Sequence, residues 1–145
     1  EVALTIGRGE LLRDGKDGVV FASGLMVKVA LEAAAALADK GCSLAVANLP
    51  TLKPLDAELV CTLARRCGGV VTAENHTIVG GLGSAVAETL LEAGIAVGFA
   101  RVGIRDTFAE GGSTPYLLNK YGLTVEAVIE GLRRAQSSRR TLAFD

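Results

Sequence analysis

Apolar residues along this chain come in short continuous runs, each followed by a turn and a longer segment with helical periodicity. We predict a strand over each of the runs 19–23, 43–48, 70–74 and 96–100. Strands that are apolar throughout, rather than alternating, are typical of a parallel sheet covered on both faces. The pattern therefore predicts an α/β fold, a three-layer αβα domain with a mostly parallel sheet of about five strands.

Helices are predicted between and after these strands. Asp56 precedes an apolar periodic segment and is placed to cap a helix over about 57–67, and Thr124 is placed in the same way before the last helix. The other predicted helices cover about 26–40, a segment from the glycines at 80–83 to near Glu92, and a short segment that starts near Ser113 or Thr114 and ends at Gly122.

The whole chain, 1–145, is predicted to form one domain. Residues 1–18 read as an arm or hairpin, because Gly and Asp cluster at the turn before the first buried strand. Residues 136–145 read as a polar tail. Because the chain starts at Glu1 and its only methionine is Met26, we expect a processed or excised piece of a longer protein.

Composition narrows the function classes. The chain has 145 residues, of which 50% are hydrophobic and 21% charged, with a formal net charge of -1. This nearly neutral net charge argues against a protein that binds nucleic acid through a strong positive electrostatic field. The most apolar stretch carries Lys28 and Glu32, so we predict no membrane span. Three cysteines without paired spacing indicate reduced thiols and a cytoplasmic protein.

The segment 74–84 is the richest in chemistry, and it should lie at the carboxyl edge of the sheet, where ligands bind in open α/β folds. His76, the only histidine, is a candidate general acid or base or a substrate contact, or else a polar residue that orders a turn or contacts a neighbouring domain. His76 with Glu74 makes no triad, because Ser84 has no second orienting group that the sequence identifies. No Cys or His pair has metal-ligand spacing.

Two further features could bind an anion. The glycine-rich run 80–84 before a helix could offer backbone N–H groups to an anion, or could simply permit a tight turn and close packing. Arg101 and Arg105, expected after the fourth strand, could clamp a phosphate or carboxylate, or form salt bridges at a subunit contact. We predict no catalytic residue and no metal site, and the candidate anion or interface contacts are His76, Gly81, Gly83, Ser84, Arg101 and Arg105.

Four motifs carry a family resemblance: Glu-Asn-His at 74–76 with the run 80–88, Arg-Val-Gly-Ile-Arg-Asp-Thr-Phe at 101–108, and Tyr-Gly-Leu-Thr at 121–124. Together they resemble the C-terminal domain of the transketolase family. Related domains form the C-terminal part of the 1-deoxyxylulose-5-phosphate synthases and of the beta subunits of 2-oxo-acid dehydrogenases. The histidine at 76 and the Gly-Gly-Leu-Gly-Ser run are most similar to transketolases, including those split into two subunits.

The resemblance implies a parent enzyme that binds thiamine diphosphate and Mg²⁺ between two other domains and transfers two-carbon ketol units between sugar phosphates. The family's Gly-Asp-Gly motif with a distant Asn is absent here, so no cofactor is expected in this domain and the isolated domain is predicted to be inactive. The expected roles are completion of the subunit fold and a share of the interface of a homodimer. The expected partners are the cofactor-binding domains or subunit of the same enzyme, with no nucleic acid and no membrane.

Other functions stay open. A regulatory module could bind a small anion on the 80–84 turn together with His76 and Arg101 or Arg105. A standalone acyl or phosphoryl transfer enzyme could use Ser84 and His76. The parent enzyme could also be a 1-deoxyxylulose-5-phosphate synthase or a 2-oxo-acid dehydrogenase.

Overall fold

A computed structural model describes residues 5–142, with side chains up to 138, as a five-stranded sheet and five helices. The sequence prediction of the α/β fold is confirmed. In chain order the elements are β1 (Glu10–Arg13), β2 (Gly18–Ala22), α1 (Met26–Ala38), β3 (Leu44–Asn48), α2 (Ala57–Cys67), β4 (Gly69–Thr77), α3 (Leu82–Glu92), β5 (Gly98–Ile104), α4 (Thr114–Lys120) and α5 (Val125–Leu142).

The strands lie in the order β1-β3-β2-β4-β5. All pairs are parallel except β1 with β3, which is antiparallel. At the centre of the sheet Val20 of β2 is in register with Val46 on one side and with Val71 on the other. The strand β5 forms an edge of the sheet, so one side of its backbone has no strand beside it among the described residues.

Two helices cover each face of the sheet. On β2, Val20 packs in the core cluster that contains residues of α1 and α5, while Val19 and Phe21 pack in the cluster that contains residues of α2 and α3. Successive strand residues point to opposite faces, so a strand buried on both faces must be apolar at every position. This explains the unbroken apolar runs in the sequence.

The predicted helix caps are confirmed at two positions. Asp56 Oδ1 accepts a hydrogen bond from the Leu59 backbone N–H at 3.1 Å, and Thr124 Oγ1 accepts one from the Ala127 N–H at 3.3 Å. Each cap satisfies one of the N–H groups that a helix start leaves without a partner. Gly68 ends α2 with a φ of 70°, a conformation that glycine adopts without steric cost.

The two ends of the chain are described only in part. The strand β1 pairs with β3 at one edge of the sheet, and the arm or hairpin over 1–18 stays a prediction. The helix α5 continues to Leu142, so most of the predicted polar tail is helical. Residues 1–4 and 143–145, which the arm and tail predictions also covered, lie outside the described residues.

Two strands run further than predicted. The strand β4 extends to Thr77 and β5 to Ile104, where the two residues pair, and the Ile78 N–H donates to the Ile104 carbonyl at 2.9 Å. Arg101 therefore lies inside β5, and the prediction that it follows the strand is wrong. Polar residues at the strand ends resemble loop residues in a single sequence, but in the fold they continue the strand alternation.

Candidate functional site

Glu74 is the centre of the candidate site. Its side chain is fully buried, on the face of β4 that also carries Thr72. One carboxylate oxygen, Oε2, accepts a hydrogen bond from the Leu82 backbone N–H at 2.6 Å, and Oε1 accepts one from the Gly83 N–H at 2.9 Å. The carboxylate thus lies at the N-terminus of α3, where unpaired N–H groups and the helix dipole favour a negative charge.

His76 lies two residues further along the same face of β4. Its Nε2 atom is 2.8 Å from Glu74 Oε2, and its side chain is 42% exposed. The contact lies beside the helix start that the same carboxylate caps. Glu74 therefore orients the imidazole as well as capping the helix.

The glycines before α3 allow this close approach. A Cβ atom on Gly81 would clash with the Glu74 carboxylate and would lie 2.5 Å from the Thr77 carbonyl oxygen. A Cβ atom on Gly83 would lie 2.5 Å from Arg101 Cδ and 2.8 Å from Thr72 Oγ1. Any side chain at either position would push the helix away from the sheet. The contacts agree with the interpretation of the glycine run as a device for close packing.

Ser84 and Arg101 meet at one backbone carbonyl. Ser84 Oγ donates to the Ile78 oxygen at 3.1 Å, and Arg101 Nη1 donates to the same oxygen at 3.0 Å. Ser84 Oγ also accepts from the Gly80 N–H at 3.1 Å. The serine hydrogen is therefore directed to a carbonyl and not to His76, which gives no support to a nucleophilic role for Ser84.

The structure thus brings His76, Gly81, Gly83, Ser84 and Arg101 together around Glu74, a residue that the sequence analysis did not choose. Two N–H groups of the glycine-rich turn, at Leu82 and Gly83, already bind this internal carboxylate. The signal in the sequence that could have identified Glu74 was the alternation of β4, which places it on the same face as Val70 and Thr72. The role of these residues as anion or interface contacts stays a prediction.

Arg105, the remaining candidate, lies apart from this group. It is exposed, just beyond the end of β5. It lines a cleft of about 510 Å³ between the end of β5, the end of α4 and the start of α5. We call this space the β5–α5 cleft. Its other charged lining residues are Arg101, Lys120, Glu130 and Arg134.

An ion pair lies beside the β5–α5 cleft. Lys120 Nζ is 2.7 Å from Glu110 Oε2, and Glu110 Oε1 accepts from the Tyr116 hydroxyl at 2.6 Å. The hydrogen bond from Lys120, and secondly that from Tyr116, lowers the pKa of the Glu110 carboxyl. The same contact with Glu110 raises the pKa of Lys120. The positive charge of Lys120 is thus balanced by a neighbour.

The chain's own residues do not fit a metal-bound diphosphate. Within residues 5–138 no group of three or more His, Cys, Asp or Glu side chains could hold a metal ion. The start of α3, which could in principle accept a phosphate, holds the Glu74 carboxylate. The geometry therefore supports no reaction step through a cofactor held by this domain.

In the described part of the chain, each helix is too short or too polar to cross a membrane.

Comparison with known proteins defines the class. The family model described as "Transketolase, C-terminal domain" matches residues 7–128, and the chain belongs to this family. The resemblance found in the sequence is confirmed. A solved structure, "Split gene transketolase, inactive beta4 tetramer", superimposes with a TM-score of 0.89 at 44% identity and covers 96% of this chain.

Two curated relatives carry different activities in their names. The "6-deoxy-6-sulfo-D-fructose transketolase subunit SqwH" of Clostridium sp. (strain MSTE9) is 48% identical over 125 residues, covering 86% of this chain and 38% of the relative. The "1-deoxy-D-xylulose-5-phosphate synthase" of Syntrophotalea carbinolica is 46% identical over 131 residues, covering 90% of this chain and 21% of the relative. The chain also spans 45% of the split transketolase chain. It therefore corresponds to less than half of each of these proteins.

Proposed function

We propose that this chain is the non-catalytic C-terminal domain of a thiamine-diphosphate-dependent transketolase, which transfers two-carbon ketol units between sugar phosphates. The observation that carries the proposal is the fit to the split transketolase, with 44% identity and a TM-score of 0.89 over 96% of this chain. The similarity to a transketolase subunit at 48% identity supports the same activity. The carbanion chemistry belongs to the cofactor, which the rest of the enzyme would bind together with Mg²⁺.

The candidate site supports a structural role for this domain. The oxygens of the buried Glu74 carboxylate already contact the first N–H groups of α3 and the His76 side chain. Ser84 and Arg101 both donate to the Ile78 carbonyl and thereby fix the turn between β4 and α3. These groups lock the helix onto the sheet. A rigid carboxyl edge of this kind is suited to support neighbouring domains.

Exposed apolar side chains mark the expected interface. Leu25, Val79 and Phe108 are 52%, 65% and 102% exposed, and they follow the carboxyl ends of β2, β4 and β5 within four residues. Because β2, β4 and β5 are parallel, these segments lie at the same edge of the sheet. Exposed apolar surface is a mark of protein contact sites. In this proposal the edge contacts the cofactor-binding domains or subunit of the same enzyme, which assembles as a homodimer.

A 1-deoxyxylulose-5-phosphate synthase is the second candidate for the parent enzyme, and the 46% identity to the Syntrophotalea carbinolica synthase favours it. The equivalent domain of a 2-oxo-acid dehydrogenase beta subunit remains a third. The proposed structural role of the domain is the same in each. Only the reaction of the rest of the enzyme differs.

The test uses the complete protein that carries this chain, with thiamine diphosphate and Mg²⁺. One assay supplies xylulose 5-phosphate and ribose 5-phosphate, and a second supplies pyruvate and glyceraldehyde 3-phosphate. Turnover in the first assay supports the transketolase proposal, whereas turnover only in the second assigns the synthase reaction. Turnover by the 145-residue chain alone would contradict the non-catalytic role.

A further inference from the structure

The β5–α5 cleft concentrates positive charge in a chain that is slightly acidic overall. Arg101, Arg105 and Arg134 line it together with Lys120, which is paired with Glu110, and the one lining carboxylate is Glu130. The whole chain has a formal net charge of -1. A cleft in which one sign of charge predominates attracts ions of the opposite sign. Its volume of about 510 Å³ is within the range of small-molecule sites.

Two arginine side chains of the cleft are available to bind a ligand. Among the described residues, Arg101, Arg105 and Arg134 form no ion pair, whereas Glu130 lies 3.6 Å from Arg133, which does not line the cleft. Arg101 is already engaged, because its Nη1 donates to the Ile78 carbonyl and its side chain packs against Gly83 at the start of α3. Arg105 and Arg134 are the guanidinium groups left to bind a ligand. The cleft therefore offers guanidinium donors while its only lining carboxylate is balanced from outside.

A hydroxyl adds a neutral donor. Tyr121 lines the cleft, and its oxygen accepts a hydrogen bond from the Glu110 N–H at 3.0 Å. That contact uses an oxygen lone pair, so the phenolic hydrogen can point to a ligand. The planar guanidinium group of arginine can donate two parallel N–H hydrogen bonds to two oxygens of a phosphoryl group.

From these contacts we infer that the β5–α5 cleft binds a phosphoryl group, either of a small phosphate ester or of free phosphate. Arg105 and Arg134 supply charge-assisted hydrogen bonds from two sides, and Tyr121 supplies a third donor. The site is separate from the start of α3, where Glu74 already occupies the backbone donors. It does not depend on the reaction of the parent enzyme.

The test is calorimetric titration of the complete protein with sn-glycerol 3-phosphate and, separately, with inorganic phosphate. Glycerol 3-phosphate has no carbonyl group, so it cannot take part in ketol transfer. The double variant Arg105→Glu/Arg134→Glu is compared with Arg13→Glu/Arg65→Glu, which makes the same charge change on β1 and α2. Thermal unfolding midpoints of both variants equal to that of the wild type verify that folding is intact.

We expect saturable binding that the cleft variant weakens at least tenfold and the control variant changes less than twofold. Tighter binding of the ester than of inorganic phosphate would assign the site to an esterified ligand, and equal binding would assign it to the free anion. Absence of saturable binding to the wild type, or equal weakening by both double variants, overturns the inference. Ketol transfer is measured separately, so its failure would bear on the proposed function and not on this cleft.

Discussion

The Glu74 Oε1 atom lies 2.9 Å from the backbone nitrogen of Gly83, and this contact joins a buried strand residue to the first turn of a helix. A carboxylate that is fully inaccessible to solvent is costly unless hydrogen bonds and favourable dipoles surround it. The N–H groups of α3 provide both. The same geometry that closes the turn to an external anion stabilises the edge of the sheet.

Replacement of Glu74 is expected to destabilise the fold. Glu74→Ala leaves the Leu82 and Gly83 N–H groups buried without an acceptor, and we expect a loss of roughly 2–4 kcal/mol in the free energy of unfolding. Urea unfolding measures this loss. The control is Glu92→Ala at the exposed end of α3, which is expected to change stability by less than about 0.5 kcal/mol. Equal effects of the two substitutions would contradict the capping role.

A methyl group at position 81 should disturb the same contact from the other side. In Gly81→Ala the new Cβ atom meets the Glu74 carboxylate and the Thr77 carbonyl, so the turn must shift. We expect a destabilisation of about 1–3 kcal/mol. Gly111→Ala is the matched control, because nothing lies within 4 Å of its Cβ position. Thermal unfolding of both variants measures the destabilisation. An unchanged unfolding midpoint for Gly81→Ala would contradict the prediction, because it would show that the turn shifts without cost.

Removal of one buried hydroxyl should stabilise the protein. Thr72 Oγ1 is buried and has no hydrogen-bond partner among the described residues. Thr72→Val keeps the shape of the side chain and removes the unsatisfied group, so we expect a gain of about 1 kcal/mol. Thr89→Val is the contrast, because it removes a hydroxyl that donates to the Ala85 carbonyl at 2.8 Å. A loss of stability in Thr72→Val, measured in urea, would contradict this prediction.

The ion pair beside the β5–α5 cleft gives a prediction for pH. Hydrogen bonds from Lys120 and Tyr116 lower the pKa of Glu110, so its carboxyl should titrate below a glutamate in an unstructured peptide. A folded-state pKa below the unfolded value means that the stabilisation is present above the unfolded pKa and is lost as the pH falls through the folded value. In an NMR titration, Lys120→Met should move the Glu110 midpoint upward.

The control for that titration is Lys53→Met, which removes an exposed lysine that pairs with no described residue. It should leave the Glu110 midpoint in place. An equal upward movement in both variants would mean that overall charge, and not the specific contact, controls Glu110. No change in either variant would contradict the hydrogen bond itself.

Local signals explain which features the sequence predicted. The caps at Asp56 and Thr124 depend on residues three positions away, so the pattern alone identifies them. The three-layer fold follows from apolar runs long enough for strands buried on both faces. The pairing of Thr77 with Ile104 depends on two distant segments, so the ends of β4 and β5 could not be read from either segment alone.

The candidate site also combines features that the local sequence predicts with features that depend on distant segments. The sequence identified the segment that contains His76 and the glycines, because these residue types cluster at one strand end. The role of Glu74 depends on two N–H groups eight and nine residues away, in an element whose position against β4 is set by the core. The β5–α5 cleft joins residues from β5, α4 and α5, and no local pattern brings them together.

In the proposed function, this domain supports a catalytic centre and does not supply its reacting groups. The most direct test is kcat for ketol transfer by the complete protein carrying His76→Gln, since His76 is the one histidine of the chain. We predict a kcat within about threefold of the wild-type value, whereas a general acid or base contributes about 10²–10⁴-fold. A hundredfold loss of kcat with an unchanged unfolding midpoint would contradict the account.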